Sequence, residues 1–227
     1  MSTVKELTLE VDEHRVSALL HRPGDAWALY VLAHGAGAGM RHAFLETVAK
    51  ELGGVGVATL RFQFPYTEEN KHRPDPPALL EATVRAAVAR AAEEELPLFA
   101  GGKSMGGRMT SQAQAQEPLP GVRGLVFLGF PLHQPRRPLV SRASHLDRVT
   151  IPMLFLQGTR DDLADLALIR GVCSTLGSRA DLHVVEGGDH SFKVLKRSGR
   201  DEADVIKEIR DTTVNFMRKH MPQPQIP

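Results

Sequence analysis

The sequence predicts an α/β domain with a mostly parallel central sheet, an N-terminal antiparallel hairpin and helices on both faces. Three observations carry that expectation. Short apolar runs alternate with longer segments of helical periodicity, and an alternating hairpin precedes them. Gly102-Lys103-Ser104-Met105-Gly106 also falls where an apolar run at 96–100 meets a helical segment at 105–116.

Val4, Leu7, Leu9 and Val11 roughly alternate with polar residues, Asp12-Glu13 interrupts, and Val16, Ala18 and Leu20 alternate again, which predicts the hairpin. Residues 28–33 are continuously apolar, as in a strand buried on both faces. They run into the loop His34-Gly35-Ala36-Gly37-Ala38-Gly39. Phe44, Leu45, Val48, Ala49 and Leu52 repeat at helical spacing. A strand at 55–62, a proline-bearing loop at 65–77 and an alanine-rich helix at 78–95 follow. Past the serine come strands at 122–130, 151–156 and 181–185, a loop at 131–144 and a helix at 163–176. Val205, Ile209, Thr213 and Phe216 place one stripe on a last helix. The expected organisation is one domain at 1–220 with a flexible tail at 221–227 and no large cap domain.

The bulk properties exclude several classes. The chain has 227 residues, 42% hydrophobic and 24% charged, enough for a sizeable core. A formal net charge of +1 gives no electrostatic reason for a nucleic-acid partner. No apolar stretch reaches membrane-spanning length, and MSTVKELTLEVDEHRV lacks the apolar core of a signal peptide. Cys173 is the only cysteine, which excludes an intrachain disulfide and argues for packing on its helix. No His, Cys or Asp spacing suggests a metal. The expectation is a cytoplasmic protein acting on a small molecule, with no cofactor, metal or membrane partner; no feature specifies an oligomeric state.

A serine flanked at two positions on each side by glycine, between strand and helix, has the form of a nucleophile elbow. The competing reading is a glycine-rich turn whose serine caps a helix. A phosphate-binding loop fails because its first glycine would fall on Pro97. A dinucleotide loop at 35–39 fails because Met40 and His42 occupy its third glycine positions. A serine nucleophile needs a base and an orienting acid. Gln157-Gly158-Thr159-Arg160-Asp161-Asp162 follows one later strand, and Gly187-Gly188-Asp189-His190 follows the next. Asp161 is the first choice as acid, with Asp162 and Asp165 as alternatives, and His190 is the base.

His34-Gly35, Gly102-x-Ser104-x-Gly106, Gly158-x-x-Asp161 and Gly188-Asp189-His190 resemble the α/β-hydrolases over nearly the whole chain, whose triad follows the order serine, acid, histidine. GGKSMGGRM, LRFQFPY, GFPLHQP and LFLQGTRD resemble a small bacterial dienelactone-hydrolase-like branch, related to the hydrolase-like domain of the third subunit of the non-specific-lethal chromatin complex. Serine at position 104 departs from the cysteine of the dienelactone hydrolases themselves. The resemblance implies catalysis by Ser104, Asp161 and His190, with backbone amides of Ala36 and Met105 as the oxyanion hole. Gly35 and Gly37 would admit substrate, and His34 would hold the oxyanion loop. Arg61, Lys103 and Arg108 form either ion pairs with Glu68, Glu69 or Asp75, or a cationic rim for anionic acyl substrates. His133 and His145, in a lid-like loop, are candidate substrate contacts. The implied activity is cleavage of a small or accessible acyl ester. Thioester, lactone or peptide hydrolysis, or a binding module with a vestigial triad, are the alternatives.

Overall fold

The computed structural model describes residues 2–221, so the expected tail lies, apart from Met221, outside the described residues. Strands β1 (Ser2–Val11), β2 (His14–Pro23), β3 (Ala28–Ala33), β4 (Val57–Phe62), β5 (Leu98–Lys103), β6 (Val122–Leu128), β7 (Met153–Gly158) and β8 (Ala180–Val185) form one sheet, in the order β1-β2-β4-β3-β5-β6-β7-β8. β1 pairs antiparallel with β2, and β2 with β4; every other pairing is parallel.

The continuous apolar runs have a direct cause: both faces of the sheet are covered. Along β3, Leu29, Val31 and Ala33 face one core and Ala28, Tyr30 and Leu32 the other. Along β6, Leu125 and Phe127 alternate with Val126 and Leu128 in the same way. Helices α3 (Pro77–Ala92), α4 (Met105–Gln116) and α5 (Leu166–Leu176) cover the first core. α1 (Ala43–Gly53) and α6 (Glu202–Lys219) cover the second. Tyr30, fully buried, spends its hydroxyl as a donor to the Val126 carbonyl at 2.8 Å, so its ring enters the core without an orphaned polar group.

Some boundaries differ from expectation. β5 extends through Lys103, because Gly101 and Gly102 pair with β3 on one side and β6 on the other. Glycines that read as a loop are the end of a strand. The loop at 65–77 contains a four-residue helix, α2 (Pro65–Glu68), started by proline and tied to β2 where Ser17 donates its amide and hydroxyl to Glu68. The 131–144 loop leads into a 3₁₀ segment, Ser141–Arg148. Among the described residues no large cap is inserted, and no helix is long and apolar enough to cross a membrane.

Candidate active site

β5, β7 and β8 end at the same edge of the sheet, so the loops following them converge. Ser104 joins β5 to α4 with φ 51° and ψ −116°, a strained conformation for a residue with a side chain. The flanking glycines are explained by β3. A methyl group at Gly102 would lie 2.2 Å from the Ala33 carbonyl oxygen, and one at Gly106 would lie 2.6 Å from the Ala33 and His34 oxygens. The elbow is pressed against the end of β3, and only hydrogen fits at both contact points.

His190 Nε2 lies 2.9 Å from Ser104 Oγ, and His190 Nδ1 lies 2.8 Å from Asp161 Oδ2. Asp161 has a fully buried side chain whose Oδ1 accepts the Leu163 amide at 2.8 Å. Gln157 at the end of β7 donates to Asp161 Oδ2 and accepts the Phe130 amide at 3.0 Å, bridging two strand ends through the acid. Asp162 is exposed, and Asp165 caps α5 by accepting the Ala167 and Leu168 amides. Of the three acids, only Asp161 reaches the imidazole. The histidine loop is held by Asp189, whose Oδ1 accepts the Ser191 and Lys193 amides. It crosses close to β7 because Gly158 has no side chain: a methyl group there would lie 2.2 Å from the Gly188 oxygen.

A cavity of about 310 Å³ opens over Ser104 and His190, lined also by Gly35, Ala36, Phe44 and Leu163. Phe44 stacks on Phe192 at 5.7 Å, which fixes one wall. Among the described residues the Ala36 amide has no acceptor. Met105 is the first residue of α4, where amides have no intrahelical partner. Gly35 packs near the Ser104 side chain, whereas Gly37 turns its amide to Tyr66 Oη at 3.1 Å.

His34 is fully buried; its Nδ1–H donates to the Gly35 carbonyl at 2.7 Å and its Nε2 accepts the Phe64 amide at 3.3 Å. It ties the loop after β3 to the segment after β4, and burial pushes its pKa down to about 4.

The other expected contacts lie elsewhere. Arg61 is buried on β4, donating to the Met40 carbonyl at 2.9 Å with Glu46 at 3.6 Å. Arg108 is part-buried on α4 beside Glu81 and Arg142. Glu68, Glu69 and Asp75 are engaged with Ser17, Lys71 and the Tyr66 amide instead. His133 staples two loops, donating from Nδ1 to the Gln134 carbonyl and accepting the Asp165 amide at Nε2. Arg61, Arg108 and His133 do not line the cavity over Ser104; Lys103 does, with its ammonium turned inward. His145 is buried under α4, with Nε2 2.8 Å from Ser111 Oγ. That second serine–histidine contact lacks a carboxylate and any opening to solvent, since Ser111 is fully buried and its hydroxyl also lies 2.9 Å from the Arg108 carbonyl. Cys173 is buried, and burial raises its pKa to about 11, as for an inert packing thiol.

The buried histidines make stability pH-dependent. Burial depresses His145 to about 4, as it does His34, against about 6.5 for an unfolded histidine. Between these values the unfolded chain binds more protons, so the stabilisation is full above about pH 6.5 and is lost as pH falls toward 4. Each is worth about 2–3 kcal/mol. Urea unfolding at pH 7.5 and pH 5 is expected to show this loss, and H145Q to flatten the slope by about half.

Gln157 and Asp189 were not singled out by sequence reasoning. The available signal was a lone amide at the end of an apolar strand, and an acid directly before the histidine.

A serine held at a tight strand–helix turn, with histidine and aspartate at later strand ends of a mostly parallel sheet, defines a protein of the α/β-hydrolase class. A family model described as "Alpha/beta hydrolase domain" matches residues 26–218, and the chain belongs to that family. Its fold is similar to that of a dienelactone hydrolase from Anabaena variabilis, with TM-score 0.79 and 20% identity over 97% of this chain and 99% of that one. It is also similar to an α/β serine hydrolase without lid from Xanthomonas campestris, with TM-score 0.73 and 19% identity over 97% and 96%. Est1E from Butyrivibrio proteoclasticus, solved with ferulic acid bound, gives TM-score 0.72 and 17% identity over 94% and 98%. These likenesses show the same fold.

Proposed function

We propose that this chain is a serine hydrolase cleaving small or accessible carboxylic esters through an acyl-enzyme. The observation that carries the reading is the unbroken line Ser104 Oγ to His190 Nε2 at 2.9 Å and His190 Nδ1 to Asp161 Oδ2 at 2.8 Å, at the floor of an open cavity. Ser104 Oγ attacks the ester carbonyl carbon as His190 Nε2 takes its proton, and Asp161 accepts from Nδ1 and stabilises the imidazolium. The carbonyl oxygen becomes an oxyanion, held by the Ala36 and Met105 amides. The intermediate collapses, and His190 returns the proton to the departing alcohol. Water then attacks the acyl-serine by the same route, releasing the acid and restoring Ser104.

Phe44, Leu45 and Leu163 give the cavity apolar walls suited to a short acyl or aryl group, and the absence of a large cap among the described residues leaves the entrance accessible. The test has two parts. A fluorophosphonate probe is expected to label the intact protein once, at Ser104, by peptide mapping. A panel of esters and thioesters of rising chain length is expected to give the highest kcat/KM on a short acyl oxygen ester. An intact protein that neither labels nor hydrolyses any member is a binding module with a vestigial triad; a thioester preference would make it a thioesterase of the same fold.

A further inference from the structure

Lys103 stands immediately before the proposed nucleophile, but its ammonium does not reach solvent. Nζ is buried and has no hydrogen-bond partner, and among the described residues no carboxylate lies within the 4.0 Å of an ion pair. Its surroundings are nevertheless charged. The space beside Gly129, where β6 ends, is the point of convergence: a methyl group there would lie 3.1 Å from Lys103 Nζ and 3.5 Å from both Asp161 Oδ2 and His190 Cε1. Phe192 closes the other side, with Nζ 5.6 Å from its ring centroid. Asp161 after β7, Asp189 after β8 and His190 are the titratable groups that face the ammonium. Burial lowers the Lys103 pKa to about 8, with Asp161 and Asp189 drawing it back up, so the group is charged at neutral pH.

We infer that Lys103 is a positioning residue of the active site: its buried ammonium faces the Asp161–His190 pair and biases the imidazole toward the neutral form that a general base requires. This rests on reading Ser104, His190 and Asp161 as the triad. A positive charge held beside the same small space as an imidazole opposes a second positive charge on the ring. The role calls for a cation without a hydrogen bond: a direct ion pair to Asp161 would withdraw the carboxylate from His190, whereas a charge held one contact further away acts on both groups through space.

The test is the pH profile of fluorophosphonate inactivation for wild type, K103M and K103R. K103M preserves the length of the side chain and removes the charge. Its acid limb is expected to move to higher pH by about one unit, with K103R returning the limb toward wild type. A K103M rate lowered equally at every pH, with an unmoved limb, overturns the proposal and leaves Lys103 a packing residue. A second measurement does not depend on catalysis or on the folding of K103M. With ¹³C-labelled lysine in an S104A background, adding D161N is expected to shift the Lys103 titration to lower pH, because an attracting charge has gone. An unmoved titration also overturns the coupling. If wild type fails to label, the hydrolase reading falls, and the lysine titration still decides whether the ammonium senses the acid.

Discussion

Ser104→Ala is expected to abolish fluorophosphonate labelling and to lower kcat/KM on the preferred ester by about 10⁴–10⁶-fold. The rest of the machinery survives the change, because alanine inherits the same backbone and the neighbouring glycine contacts are untouched. A thermal midpoint close to wild type therefore separates loss of chemistry from loss of fold. His190→Ala is expected to have an effect of similar size, and the double variant to be little worse than either single one, since the two groups act as a unit. Ser111→Ala supplies the contrast. Its hydroxyl also sits beside a histidine, at 2.8 Å, but is fully buried. Labelling should survive in S111A. Retention of full activity by S104A, or its loss in S111A with a normal melting curve, would move the nucleophile.

Gly102→Ala is expected to be among the most destabilising single methyl additions in the chain, at more than about 4 kcal/mol, visible as insoluble expression or a large drop in urea midpoint. Two independent causes add. The residue has φ +148°, where a side chain is strained, and the new methyl group would meet the Ala33 carbonyl oxygen, a backbone atom in the middle of the sheet, at 2.2 Å. Neither strand can retreat: β3 is paired with β4 on its other edge, and β5 with β6. Gly171→Ala is the control. It lies in α5 with nothing within 4 Å of the added methyl group, so helix propensity governs, and a gain of about 0.5–1 kcal/mol is expected. A G102A protein as stable as wild type would show that the elbow does not press on β3.

Most of the sheet was legible because its residues follow local rules. β3 and residues 125–128 of β6 are apolar on both faces, β1 and β2 alternate, and α4 begins and ends where the periodicity says. The contact of Ser104, His190 and Asp161 was legible because each residue is announced by a nearby glycine, and Gly102, Gly106 and Gly158 answer to close backbone approaches. What was not legible is where long cations go. Arg61, Lys103 and Arg108 sit near strand ends in sequence, as rim residues would. Their guanidinium and ammonium groups reach several bonds from the backbone, and the groups that Arg61 meets, the Met40 carbonyl from a loop and Glu46 from the exposed side of α1, are set by tertiary contacts that no periodicity specifies. His133 and His145 were ambiguous for the same reason: whether a loop histidine faces a substrate or a backbone carbonyl depends on contacts more distant than any motif.

Ser104 and its imidazole partner are separated by 86 positions along the chain. Nothing local draws them together; only the completed alignment of β5 through β8, and the last glycine loop folded over Gly158, brings them into contact. A ribosome that has released the elbow but not yet the final strand carries an inert serine. On the proposed function, labelling by an activated phosphonate is therefore expected to read out finished assembly, and its rate of appearance during refolding to mark the moment when the far end of the sheet closes.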